Sequence, residues 1–164
     1  MKNIILLKDY IDNLLSNISL LENKLSIIFK LLSQLTDSPV LDYYTCIRII
    51  YGLPNNHYIF IYLHSETELN SSNNHIDLIP IGLITLIIEK KLIHGGKCVG
   101  HIEDLVVDKN FSGKGIARTL VNHCVNIAES NNCYKIILDC SESLEPFYNK
   151  LEFKKQGICM RKET

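Results

Sequence analysis

The richest concentration of chemistry lies between Asp108 and Arg118, where an apolar run ends, NFSGKGIAR follows, and a helical period begins. Gly113 and Gly115 release the backbone there, so that successive N–H groups can point into one concavity. The helix start adds about half a positive charge. Together they make a seat for a phosphate or pyrophosphate. The spacing is neither the G-x-x-x-x-G-K-[ST] of a nucleotide triphosphate loop nor the G-x-G-x-x-G of a dinucleotide loop, and many Gly-x-Gly segments are only turns. Just upstream, Glu103 and Asp104 are adjacent carboxylates in an apolar run. Ideal pleating sends them to opposite faces, which leaves one as a surface charge. Lys91 and His94 in EKKLIHGGK, Tyr134 and Lys135 in NCYKIILDC, and Tyr148 in PFYNK complete the polar set. Taken singly they read as a solvated charge, a turn histidine, a strand edge and a core aromatic. His101 reads as structural, and Cys133 and Cys140 as packing residues.

These side chains need a frame. Ile4 to Leu7 predicts a first strand. Apolar residues at Ile11, Leu14, Leu15, Ile18, Leu21, Leu25, Ile28, Phe29, Leu32 and Leu35 recur at helical spacing and predict one long helix, stopped by TDSP at 36–39. Leu41 to Tyr51 reads as a shorter helix. HYIFIYLH (57–64) and Ile79 to Ile88 read as strands joined through a polar surface loop, Glu66 to Asp77. Cys98 to Val107 is the next strand, 113–130 a helix, Lys135 to Cys140 a buried strand, Leu144 to Leu151 a short helix, and Phe153 to Met160 a last strand. The order predicts an α/β or α+β fold, one domain over 1–164, with a central mixed sheet and helices on both faces.

The 164 residues carry 17 basic and 18 acidic side chains, a formal charge of −1, with 46% hydrophobic and 21% charged residues. That is a globular composition rather than a disordered one, and it lacks the net basic surface of a dedicated nucleic-acid binder. Cysteines at 46, 98, 124, 133, 140 and 159 contain no CxxC pair, which reads as free thiols in a reduced compartment rather than a zinc site or a disulfide framework. MKNIILLKDYIDN lacks a small-residue cleavage site, and the longest apolar stretch is far short of the ~20 residues that span a bilayer. A cytoplasmic protein without a metal is expected.

The run GHIEDLVVDKNFSGKGIARTLVNH, followed by NCYKIILDCSESLEPFYNKLEF, resembles the glucosamine-6-phosphate N-acetyltransferases of the GNAT superfamily. The matching phrases are HIED, the V-x-x-x-x-x-G-K-G loop, CYKIILDC and PFY-x-K-x-x-F. Further upstream, Gly82 to His94 and Leu32 to Thr36 also fit, so the resemblance covers roughly residues 32 to 162. It implies acetyl-CoA as cosubstrate, with its pyrophosphate on the backbone of Gly113, Lys114, Gly115, Ile116, Ala117 and Arg118. Leu105, Val106 and Val107 would offer backbone N–H to the thioester carbonyl and stabilise the oxyanion, and Asp139, Asn149 and Lys150 would add contacts. It further implies that Thr36, Lys91, His94, Glu103, Asp104, Tyr134 and Lys135 hold the amino-sugar phosphate, with Arg161 or Lys162 as the C-terminal basic contact. Tyr148 would face the departing sulfur, where a phenol can protonate a thiolate. Glu103 and Asp139 would serve the attacking amine. Ser112 departs from the superfamily's usual Arg or Gln, a loss that Lys114 or Arg118 can offset. Direct transfer in a ternary complex and a homodimer with shared active sites are implied, along with a place in UDP-N-acetylglucosamine biosynthesis. The alternatives are a GNAT enzyme for another amine and a catalytically silent CoA-binding interaction module.

Overall fold

The computed structural model describes residues 3–67 and 76–163. Five strands form one mixed sheet in the order β1 (Ile4–Leu6), β2 (His57–Thr67), β3 (Ile76–Lys90), β4 (Cys98–Val107), β5 (Cys133–Ile137). The first four are antiparallel to their neighbours, and β5 runs parallel to β4. The crossover between those two is α4 (Ile116–Ser130), which suits a parallel pairing that no hairpin can make.

The sheet has helices on both faces, as expected. α4 buries Leu120, Val121, Cys124 and Ala128 on one face against Ile84, Leu86 and Ile102. On the other face, α1 (Leu7–Asp12), α2 (Ile18–Leu32) and α3 (Tyr43–Gly52) cover Ile61, Leu63, Leu83 and Val106. The two clusters follow from alternation, because Leu83 and Ile84 are neighbours in β3 and enter opposite cores.

The single long helix predicted from Ile11 to Leu35 is two helices. Asn17 takes an extended conformation and accepts the Leu20 N–H at 3.1 Å, capping α2. The apolar spacing runs on through the break, yet Leu15 and Ile18 there are 43% and 54% exposed. In the same way Asp42 caps α3 through the Thr45 N–H.

The hairpin is also longer than predicted. The β2–β3 ladder reaches Thr67↔Ile76, so the ends of the expected 66–77 loop are strand, while residues 68–75 lie outside the described residues. β5 begins at Cys133 and stops at Ile137, before Cys140. α5 (Glu145–Asn149) carries Tyr148.

The predicted last strand does not form. Lys154, Lys155 and Gln156 are polar, Gly157 turns the chain at φ +76°, and Ile158 and Met160 are both 88% exposed with no strand beside them. Three apolar positions are too few to hold a strand without a partner edge.

Candidate active site

β5 accompanies β4 only as far as His101↔Ile137. Beyond that point the β4 edge facing away from β3 is open, and a cleft of about 420 Å³ lies against it. Leu105 and Val107 form the strand side of the cleft. Phe111, Ser112, Gly113 and Gly115 form the loop side, and Ile116, Ala117 and Arg118 the first turn of α4. Leu144, Phe147 and Tyr148 close it from the α5 side.

The loop is built to leave its donors free. Gly113 and Gly115 have φ of +75° and +79°, a region that costs other residues roughly 1–2 kcal/mol. Gly115 is also the N-cap of α4 and supplies no side-chain acceptor. The first N–H groups of this 15-residue helix therefore meet the cleft unsatisfied by the chain. The approach is pinned on both sides: Asp108 Oδ1 accepts the Asn110 N–H at 2.8 Å, and Gln34, just beyond α2, accepts the Lys109 N–H at 3.0 Å. Phe111 lies between the His64 ring, at 4.8 Å, and the Lys114 ammonium, at 4.6 Å.

Tyr148 is buried against Phe147 and Phe153, with ring centroids 4.9 and 5.9 Å away. Burial first, then the nearby Cys140, pushes its phenol above the ordinary tyrosine range, so it is protonated at neutral pH and available as a donor.

The carboxylates are placed by a β-bulge. Leu83 pairs with Val106 and Thr85 with Glu103, which leaves Asp104 and Leu105 opposite Ile84 alone. Asp104 absorbs the irregularity at φ +53°, and its Oδ2 accepts the Thr85 hydroxyl at 3.2 Å. Glu103, directly across from Thr85, shares that face. The bulge thus brings both carboxylates to one side, correcting the pleat-based expectation that they part. Glu103 is held above the usual carboxylate range by partial burial, then by Asp104 and Asp139, with His101 acting in the opposite sense.

Of the residues expected to hold a cosubstrate, Leu105, Val107, Gly113, Gly115, Ile116, Ala117, Arg118 and Tyr148 line the cleft. The Val106 side chain does not; it is buried in the core under α1–α3. Lys114 sits over Phe111, Asn149 and Lys150 are exposed beyond Tyr148, and Asp139 accepts the Cys159 thiol at 3.3 Å. Phe111, Leu144 and Phe147 were missed as lining residues, although Phe147 stands in the PFY phrase.

The residues expected around the acceptor form two groups. Glu103 and Asp104 directly precede Leu105 on β4, on the sheet face away from α4, and Asp139 follows the end of β5. His94 and Tyr134 stack at 4.1 Å, with the Lys135 ammonium 5.7 Å from the Tyr134 ring, and Lys91 pairs with Glu89 at 2.5 Å. Lys135 lies opposite Val99, four residues below Glu103, or about 13 Å along the strand. Thr36 closes the turn after α2, its N–H on the Leu32 carbonyl. Arg161 pairs with Glu163 in the exposed tail beside Lys162. Among the described residues no group of three or more His, Cys, Asp or Glu is placed to hold a metal ion, and no helix is long and apolar enough to cross a membrane.

The cleft joins a helix start, a strand edge and a buried phenol. It offers N–H donors for a phosphate group at the helix start, an open strand edge for a carbonyl, and a protonated phenol, with carboxylates nearby for an amine. Residues 32–153 match the Acetyltransferase (GNAT) family, and the chain belongs to that family. Within it, the chain is 44% identical over 81 residues to a glucosamine 6-phosphate N-acetyltransferase of Trypanosoma brucei brucei, covering 49% of this chain and 55% of that one. It is 34% identical over 133 residues to a probable glucosamine 6-phosphate N-acetyltransferase of Oryza sativa subsp. japonica, covering 79% and 75% of the two. The crystal structure of the glucosamine-6-phosphate N-acetyltransferase from Arabidopsis thaliana superposes with a TM-score of 0.73 at 27% identity, over 98% of this chain and 96% of that one.

Proposed function

We propose that this chain transfers the acetyl group of acetyl-CoA to the amine of D-glucosamine 6-phosphate, releasing N-acetyl-D-glucosamine 6-phosphate and CoA. The observation that carries the reading is the meeting, at one end of β4, of an uncapped helix start, an open strand edge, Tyr148 and the Glu103–Asp104 pair. The relatives named for this activity, one matching most of the chain, point the same way.

In this reading, Gly113 to Arg118 donate N–H groups to the pyrophosphate and the β4 edge at Leu105 to Val107 donates to the thioester carbonyl as charge develops on it. Glu103 takes a proton from the acceptor's ammonium: one N–H bond breaks, one O–H bond forms, and the amine gains its lone pair. Asp139 steers the amine, which attacks the thioester carbonyl: the N–C bond forms, the C–S bond breaks, Tyr148 gives its proton to the departing sulfur, and the second proton leaving nitrogen returns through solvent to the phenolate. No acyl-enzyme is needed.

The distance between the carboxylates and the His94–Tyr134–Lys135 group supports a two-fold homodimer, in which a second copy brings its basic residues to the sugar phosphate. The exposed Ile137 on the free edge of β5 and the exposed Ile158 and Met160 of the tail support the same arrangement. Arg161 and Lys162 then add the C-terminal charge.

Incubation with acetyl-CoA and glucosamine 6-phosphate tests the reaction. Equal amounts of free CoA and N-acetylated sugar phosphate are expected. CoA release that depends on some other amine, or no release, would overturn the substrate assignment.

A further inference from the structure

The sequence alone marks His101 as structural, yet its surroundings link it to Glu103. On β4 the residues Val99, His101 and Glu103 share the face away from α4. On β3 the residues Thr85, Ile87 and Glu89 share that same face, since Thr85 pairs with Glu103, Ile87 with His101 and Glu89 with Val99. His101 therefore stands between two glutamates. Its Nε2 lies 3.0 Å from Glu89 Oε2, and the same oxygen receives the Lys91 ammonium at 2.5 Å. Lys91 first, then His101, holds Glu89 below the ordinary carboxylate range. Glu89 is thus an acceptor only, and the imidazole must present Nε2–H to it. That contact fixes the orientation of the ring.

The charges around Glu103 are unequal in sign. Asp104 on β4 and Asp139 beyond β5 both oppose its ionisation, and His101 favours it. Lys91 is engaged with Glu89. Lys135 lies further down the sheet, opposite Val99. Of the charged residues on α2, which packs on the same face, only Lys24 is turned inward, at 3% exposed. A carboxylate meant to take a proton from an ammonium must be ionised when that ammonium arrives.

We propose that His101, fixed by Glu89, is a positioning residue that keeps Glu103 in its carboxylate form beside the acceptor amine. The inference rests on the acetyl-transfer reading, and it assigns roles there to two residues that the family resemblance left without any. Its test is the pH profile of kcat/KM for glucosamine 6-phosphate in wild type, His101→Gln, Glu89→Gln and the double variant. In both single variants the acid limb moves to higher pH. Near pH ~6 His101→Gln loses about tenfold, a fraction of what general-base catalysis contributes. On the plateau the loss is small, and the KM for acetyl-CoA is unchanged. The double variant behaves as His101→Gln alone, because the residues act as a unit.

A merely structural histidine would lower the rate equally at every pH. Profiles that superimpose after scaling would overturn the proposal. Should His101→Gln fail to fold, Glu89→Gln carries the test alone, since its carboxylate is 45% exposed and its neutral replacement leaves no buried hole. An inactive wild type would overturn the acetyl-transfer reading and this one with it. An active wild type with superimposed profiles would overturn the role of His101 only.

Discussion

At the scale of single residues, the environments of two side chains lead to opposite chemical expectations. Tyr148 is buried, protonated and lines the cleft. Tyr148→Phe removes one hydroxyl and little volume, so kcat should fall roughly 10²–10⁴-fold while the KM for acetyl-CoA changes little. Steady-state kinetics in both substrates checks this, and an unchanged kcat would assign the leaving thiolate to water or backbone donors. Cys124 is enclosed between α4 and the sheet, and burial pushes its thiol to about 12. The thiolate is the reactive form, so Cys124 should resist a water-soluble thiol reagent in the native protein while the exposed Cys140 reacts. Peptide mapping after brief labelling separates the two, and labelling of both at equal rates would mean that α4 opens readily.

The elements show where sequence patterns suffice and where they stop. Aromatic and β-branched runs placed β2, β3 and β4, and the i, i+3, i+4 stripe of α4 placed the helix that roofs the sheet. The stripe is set by burial on one face, a strong constraint on a residue's type. The break between α1 and α2 was not legible, because the apolar spacing runs through it and only the cap at Asn17 marks it. The bulge at Asp104 was equally hidden: it depends on how β4 registers against β3, a long-range property, and it decides that Glu103 and Asp104 lie on one face. The glycine loop before α4 was legible because its glycines are a local requirement. Gly115→Ala tests that requirement. Nothing lies within 4 Å of a Cβ there, so no clash contributes. The remaining cost is the positive φ, about 1–2 kcal/mol of stability, with a raised KM for acetyl-CoA as the first turn of α4 shifts. Leu120→Ala, in the fully buried stripe of α4, should cost about 2–5 kcal/mol in a denaturant melt, which is larger because it opens a cavity.

For the whole molecule, the residues proposed to hold the acceptor divide into two groups. The carboxylates and the cleft belong to one end of β4, and the His94–Tyr134–Lys135 cluster to the other. The family phrases made every one of these residues legible, yet they say nothing of distance, and the separation along β4 emerges only from the register of β4 with β5. In the proposed homodimer the two groups would meet, so the tail beyond Gly157 should matter out of proportion to its contacts within the chain. Truncation after Gly157 should convert a dimer to a monomer by light scattering and abolish activity together. A truncated monomer with full activity would remove the shared site while leaving the chemistry of the cleft intact.

The central claim is that an amino-sugar phosphate is the acceptor, and the ratio of kcat/KM for glucosamine 6-phosphate to that for glucosamine tests it most directly. The two differ only in the phosphate, whose proposed charge-assisted contacts to Lys135, His94 and the basic tail would be absent with the free sugar. A ratio of at least about a hundredfold is expected from two such contacts, shrinking in Lys135→Ala while the KM for acetyl-CoA holds. Comparable values for the two sugars in the wild-type protein would contradict the account.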